Sequence, residues 1–73
     1  MKIRFIKEWN GEVIEGFDEK EDSITSSYEE TFKVGDIEEG DIVNDDIFDI
    51  DFQFGDGSMV YGLPKESIEV IEE

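Results

Sequence analysis

A chain of 73 residues with 22 Asp and Glu against 6 Lys and Arg carries a net charge of −16, and it contains neither cysteine nor histidine. That length describes one domain over residues 1–73, near the size at which a single core suffices and with little room for a substrate cleft. Disulfide and thiolate-metal staples are excluded, the commonest general bases and nucleophiles are missing, and the charge repels nucleic-acid phosphate and anionic membrane.

Residues 2–9 (KIRFIKEW) alternate Ile3 and Phe5 with Lys2 and Arg4, the period of a strand with one buried face. Asn10-Gly11 has the composition of a tight hairpin turn, so Glu12-Val13-Ile14-Glu15 is predicted to return as a second strand ended by Gly16. Residues 18–31 are polar, with Ile24 and Tyr28 as anchors, and predict a long loop or a loose hairpin. Phe32 and Val34 begin a further alternation that Gly35-Asp36 closes. Gly-Asp-Ile then occurs at 35–37 and again at 40–42, a turn leading into a strand at Asp41-Ile42-Val43, with Asn44-Asp45-Asp46 as the next turn.

The strongest pattern is FDIDFQFGDGSMVYGL, residues 48–63. Phe48, Ile50, Phe52 and Phe54 alternate with Asp49, Asp51 and Gln53, and Asp56-Gly57 suits a two-residue turn. That register sets Phe54 against Met59, Phe52 against Tyr61 and Ile50 against Leu63, an apolar face that a one-residue slip breaks. Phe48, Phe52, Phe54 and Tyr61 are expected in the core. Pro64 ends the return strand because it cannot donate to a ladder. The tail KESIEVIEE fits a closing strand better than a short helix, since its Ile and Val residues are β-branched.

Five or six short antiparallel strands, with turns every eight to twelve residues, predict an all-β barrel or sandwich. Two segments resemble SH3 domains. ETFKVGD (30–36) is similar to the stretch after that family's long loop, and GLPKESIEVI (62–71) to its C-terminus, where Gly, Pro, a single 3₁₀ turn and a closing strand follow one another. The resemblance covers about residues 17–72 and implies a small SH3-like barrel with residues 18–31 as its specificity loop. It does not extend to the family's proline-peptide groove: of those positions only Pro64 is matched, and Ile68 stands where a tyrosine is usual.

Charge carries the functional reading. By surface scaling, the chain has one net charge per about 290 Å², against about 110 Å² on duplex DNA. Carboxylates gathered on one half would nearly match DNA. Small acidic inhibitors of nucleic-acid enzymes, many encoded by bacteriophages, are similar in size and charge, which implies a DNA mimic acting in the cytoplasm of a bacterial host. Glu38, Glu39, Asp41, Asp45, Asp46, Asp49 and Asp51 are the candidate contact residues, with Glu19, Glu21, Asp22, Glu29 and Glu30 from the polar segment and Trp9 as an aromatic anchor or a core residue. The expected partner is the basic surface of a nucleic-acid-binding protein, met by a monomer or homodimer. No cofactor, membrane contact or direct nucleic-acid contact is expected. The alternative is an SH3-like interaction or scaffold module that docks a basic peptide. A third reading treats the charge as a solvated surface, although a magnitude of about 2 to 8 keeps a small domain soluble. A calcium loop starting at Asp49 fails, because Phe54 stands where that loop needs glycine.

Overall fold

Period-two alternation governs nearly the whole chain in the computed structural model, which describes residues 1–18, 20, 21 and 23–73. Among the described residues seven strands form: β1 (Lys2–Phe5), β2 (Trp9–Asp18), β3 (Ser23–Phe32), β4 (Ile37–Asp45), β5 (Asp49–Phe54), β6 (Met59–Pro64) and β7 (Ile68–Glu72). They make one antiparallel sheet in the order β3-β2-β6-β5-β4-β1-β7, so the all-β expectation holds. The count is higher than five or six, and the sheet does not close into a barrel, since β3 and β7 end the ladder without pairing to each other. Among the described residues β2 pairs with β6 at Val13 and Ile14 alone, and the β2–β3 hairpin runs on beyond them as a two-stranded ribbon.

The core is built from Ile3 and Phe5 of β1, Val13 and Ile14 of β2, Phe32 of β3, Ile50 and Phe52 of β5, and Val60 and Leu63 of β6. Phe5 stacks on Phe32 at 4.7 Å between ring centroids, Phe32 on Phe54 at 5.9 Å, and Phe54 meets Phe52 edge-on at 5.4 Å. Such aromatic pairs add stability beyond the area they bury.

Several expectations need correction. Asn10-Gly11 does not turn; both residues lie inside β2, opposite Thr31 and Glu30, and the chain bends at Ile6-Lys7 instead. β1 pairs with β4 and β7 rather than with its successor. β2 also continues past Gly16 to Asp18, and residues 18–31 are mostly the hairpin that was one of the two readings there. β4 extends well beyond Asp41–Val43, which moves the next turn from Asn44–Asp46 to Ile47-Phe48. The core expectation for Phe48 fails: it sits on that turn, 81% exposed. Val34 is also exposed, at the Gly35-Asp36 turn.

The central hairpin differs in register. Its loop has three residues, Gly55-Asp56-Gly57, closed by Phe54 N–H to Ser58 O (2.8 Å) and Gly57 N–H to Phe54 O (3.0 Å). Gly57 takes the left-handed conformation that such a loop requires (φ +94°). Phe52 therefore faces Val60 and Gln53 faces Met59, the one-residue slip that the sequence argued against. A bulge restores the lost register: Tyr61 and Gly62 together oppose Asp51, and Ile50 meets Leu63 after all. Val60 and Leu63 thereby both point inward, while Tyr61 turns out to solvent at 52% exposure instead of entering the core. Pro64 does end β6, and the 3₁₀ turn Lys65–Ser67 followed by β7 matches the tail expected from the sequence. Among the described residues no helix is long and apolar enough to cross a membrane.

Candidate functional site

Ion pairs neutralise part of the acidic surface and leave part of it bare. Among the described residues Lys2 pairs with Glu72 (3.6 Å), Arg4 with Glu69, Lys7 with Glu66 (3.8 Å) and Lys65 with Asp45 (2.5 Å). All four involve β1, β7 or the chain around the 3₁₀ turn. Glu30, Glu38, Glu39, Asp41, Asp49 and Asp56 have no such partner among the described residues. Glu69 and Glu72 of β7 are thus neutralised, while Asp41 of β4 and Asp49 of β5 carry no such pair among the described residues.

The seven candidate carboxylates divide into three settings. Asp49 and Asp51 alternate with buried Ile50 and Phe52 on β5, so they share its outer face, and Asp41 enters the same face through its pairing with Gln53. Asp45 pairs with Ile50 on the other face and is held by Lys65, while Asp46 closes the Ile47-Phe48 turn through its N–H to Asp49 O (2.9 Å). Glu38 and Glu39 lie at the start of β4 and line a cleft of about 400 Å³ between the β2–β3 hairpin and the β5–β6 loop. Asp51 is a structural acceptor as well as a surface charge, since it receives hydrogen bonds from Gly62 N–H (3.1 Å) and Asn44 Nδ2 (3.2 Å).

The cleft has an apolar floor of Val13, Phe32 and Phe54 and an acidic rim of Glu30, Glu38 and Asp56, with Tyr28 beside them. Partial burial raises the Glu38 carboxyl above its ordinary range, and Glu30, Asp36 and Asp56 push it the same way. The Tyr28 hydroxyl is raised by desolvation, then by Glu30, Glu15 and Asp56, and it also hydrogen-bonds Glu30. Asp56 is held below the ordinary aspartate range by hydrogen bonds from Ser58 Oγ (2.5 Å) and Ser58 N–H (2.9 Å). Mutual repulsion among rim carboxylates gives the cleft a preference for a cation.

Trp9 is partly buried against the core, its indole stacked on Phe32 at 5.8 Å and lying over Gly11. Its contacts give it a packing role at the end of the aromatic stack. Of the polar segment, Glu29 and Glu30 are exposed on β3, Glu21 is exposed at the hairpin turn, and the expectations for Glu19 and Asp22 lie outside the described residues. Sequence reasoning missed Tyr28 and Asp56 as cleft residues, because β3 and the β5–β6 loop are brought together by β2, which pairs with β3 along its length and with β6 at Val13 and Ile14. No pattern along the chain signals that meeting. Compared with protein-family models, with curated proteins and with solved structures, the chain matches none.

Proposed function

We propose that the protein acts without catalysis, as an acidic decoy that occupies the basic surface of a nucleic-acid-binding protein and blocks it. The observation that carries this reading is the partial segregation of charge: the ion pairs lie on β1, β7, the 3₁₀ turn and the β4 end at Asp45, while Asp41 and Asp49 on the outer face of β4–β5 and Glu30, Glu38, Glu39 and Asp56 at the adjoining cleft have no such partner among the described residues. Averaged over 4937 Å² of accessible surface, the net charge is one per about 310 Å². Partner contact through the unpaired side alone brings the local density closer to that of DNA. Electrostatic complementarity of this kind steers association and selects basic partners. An anti-host or anti-defence role for a phage-type protein, inside a bacterial cell, fits the same chemistry.

Competition tests the reading. Partners retained on the immobilised protein at low salt are challenged with duplex DNA and with rising salt, and a decoy releases them to both, as a nucleic-acid site would. Changing Glu30, Glu39, Asp41 and Asp49 to their amides should abolish retention while leaving the melting transition in place. Undiminished binding by that variant would refute the decoy. A second reading, an interaction module that docks a basic peptide as the SH3 resemblance implies, is favoured by a cleft beside Pro64 lined by Ile47 and Phe48. A module of that type holds its partner when DNA is added, which separates the two.

A further inference from the structure

The turn between β4 and β5 breaks the chemistry expected of it. Two-residue hairpin tips favour Asn, Asp and Gly, yet Ile47 and Phe48 form this one and are 77% and 81% exposed. Scattered exposed apolar residues are ordinary, but two adjacent large ones at a projecting tip are not. Local rules broken without a packing gain mark functional positions.

The tip is also held in place. Asp46 N–H bonds Asp49 O (2.9 Å), Lys65 N–H bonds Phe48 O (3.0 Å), and Asp46 Oδ1 accepts from Ile47 N–H (3.3 Å). Those bonds tie the turn to the 3₁₀ segment and leave a cleft of about 480 Å³ between Phe48 and Pro64, walled by Ile47, Asp49, Gly62 and Lys65. An apolar anchor fixed before binding loses less entropy when it docks.

We infer that Ile47 and Phe48, with the cleft beside Pro64, form an apolar anchor for a basic partner segment that places a large aliphatic or aromatic side chain between lysines or arginines. The inference rests on the basic-partner reading above. Charge complementarity selects this occupant: Asp46 and Asp49 flank the tip, Asp45 being held by Lys65, so cations beside the inserted side chain meet the Asp46 and Asp49 carboxylates. The same aspartates, on a chain of net charge −16, oppose a second copy and an anionic lipid surface.

Two peptides of equal charge provide the probe, one of lysine alternating with glycine and one in which two of those glycines are leucine. At about 0.15 M salt, where exposed charges more than about 8 Å apart are largely screened, the leucine peptide should bind the wild-type protein about tenfold more tightly. In Phe48→Ser that ratio should fall to near one while affinity for the glycine peptide is unchanged. Ile47→Ser should reduce it in part. Both positions are exposed, and coincident melting curves for variants and wild type establish that the fold is intact. A ratio equal in wild type and Phe48→Ser overturns the anchor even if lysine peptides bind. Failure of both lysine peptides to bind better than a serine–glycine peptide overturns the basic-partner reading itself, and the anchor with it. Sedimentation equilibrium showing a dimer that Phe48→Ser dissolves, or flotation with phosphatidylcholine vesicles lost in that variant, would assign the tip to another occupant and overturn the inference.

Discussion

Asp51 accepts a hydrogen bond from Gly62 N–H (3.1 Å) at the point where β6 bulges, and through its other oxygen it holds Asn44 Nδ2 (3.2 Å) where β4 bulges. One carboxylate therefore ties the irregularities of both neighbouring strands. Bulges leave backbone groups outside the ladder, and an acceptor placed opposite recovers one of them. Asp51→Ala should destabilise the fold by about 1 kcal/mol, a fall in melting temperature of about 4–8 °C. Asp41→Ala, which removes a charge from the same face without such a bond, should be neutral or stabilising because it relieves self-repulsion. Thermal denaturation of the two variants checks this, and a gain in stability for Asp51→Ala would show that repulsion outweighs the bulge contacts.

Gly40 is buried where β4 crosses Phe54 on β5, and a methyl group there would run into the Gln53 carbonyl oxygen and crowd the Phe52 ring. Neither obstacle is the free end of a flexible side chain. Gly40→Ala should cost about 3 kcal/mol or more, enough to abolish cooperative unfolding in so small a domain. Circular dichroism melts of the variant provide the measurement.

The sequence revealed the strands more clearly than the joints between them. Ile50, Phe52 and Phe54 declared a buried face, Pro64 declared the end of β6, and the tail declared a turn and a closing strand, because each signal is local. Turn length was not legible: Gly55-Asp56-Gly57 accommodates loops of two or three residues, and the bulge at Tyr61-Gly62 restores the downstream register, so both readings end with Ile50 against Leu63. Phe48 continues the alternation one step beyond the strand, and nothing in the period marks where pairing stops. Asn10-Gly11 was overridden by tertiary context, since β2 pairs with β3 across both residues. The acidic surface was legible as a quantity and not as a place. Which carboxylates are neutralised depends on β1 lying beside β7, a contact between the two ends of the chain.

Glu38 gives a pH dependence of definite sign. Its carboxyl is raised in the fold by burial first and by Glu30, Asp36 and Asp56 after that, so the folded state holds the proton more tightly than the unfolded chain does. Stability from this group is present at low pH and is lost as pH rises from the ordinary glutamate range through the raised value. Glu38→Gln should therefore raise the melting temperature at pH 7, and the advantage should vanish near pH 3. Asp56 has the opposite sign, because the Ser58 bonds lower it: Asp56→Ala should lower the melting temperature at pH 7 and lose that effect as pH falls through the lowered value. Melting curves at a series of pH values for both variants read the two trends.

Salt should move stability and binding in opposite directions. Unpaired carboxylates on the β4–β5 face and around the cleft repel one another in the folded chain, and ions screen that repulsion over about 10 Å at 0.1 M. Raising sodium chloride from about 0.01 M to about 0.5 M should increase the melting temperature by several degrees, since the ion pairs it weakens are exposed and contribute little. Over the same range a partner held by charge should dissociate, with log affinity falling linearly against log salt. The amide variant of Glu30, Glu39, Asp41 and Asp49 separates the two effects: it should show a shallower rise in melting temperature, because less repulsion remains to be screened. An unchanged salt slope in that variant would place the dominant repulsion elsewhere than on the β4–β5 face and the cleft.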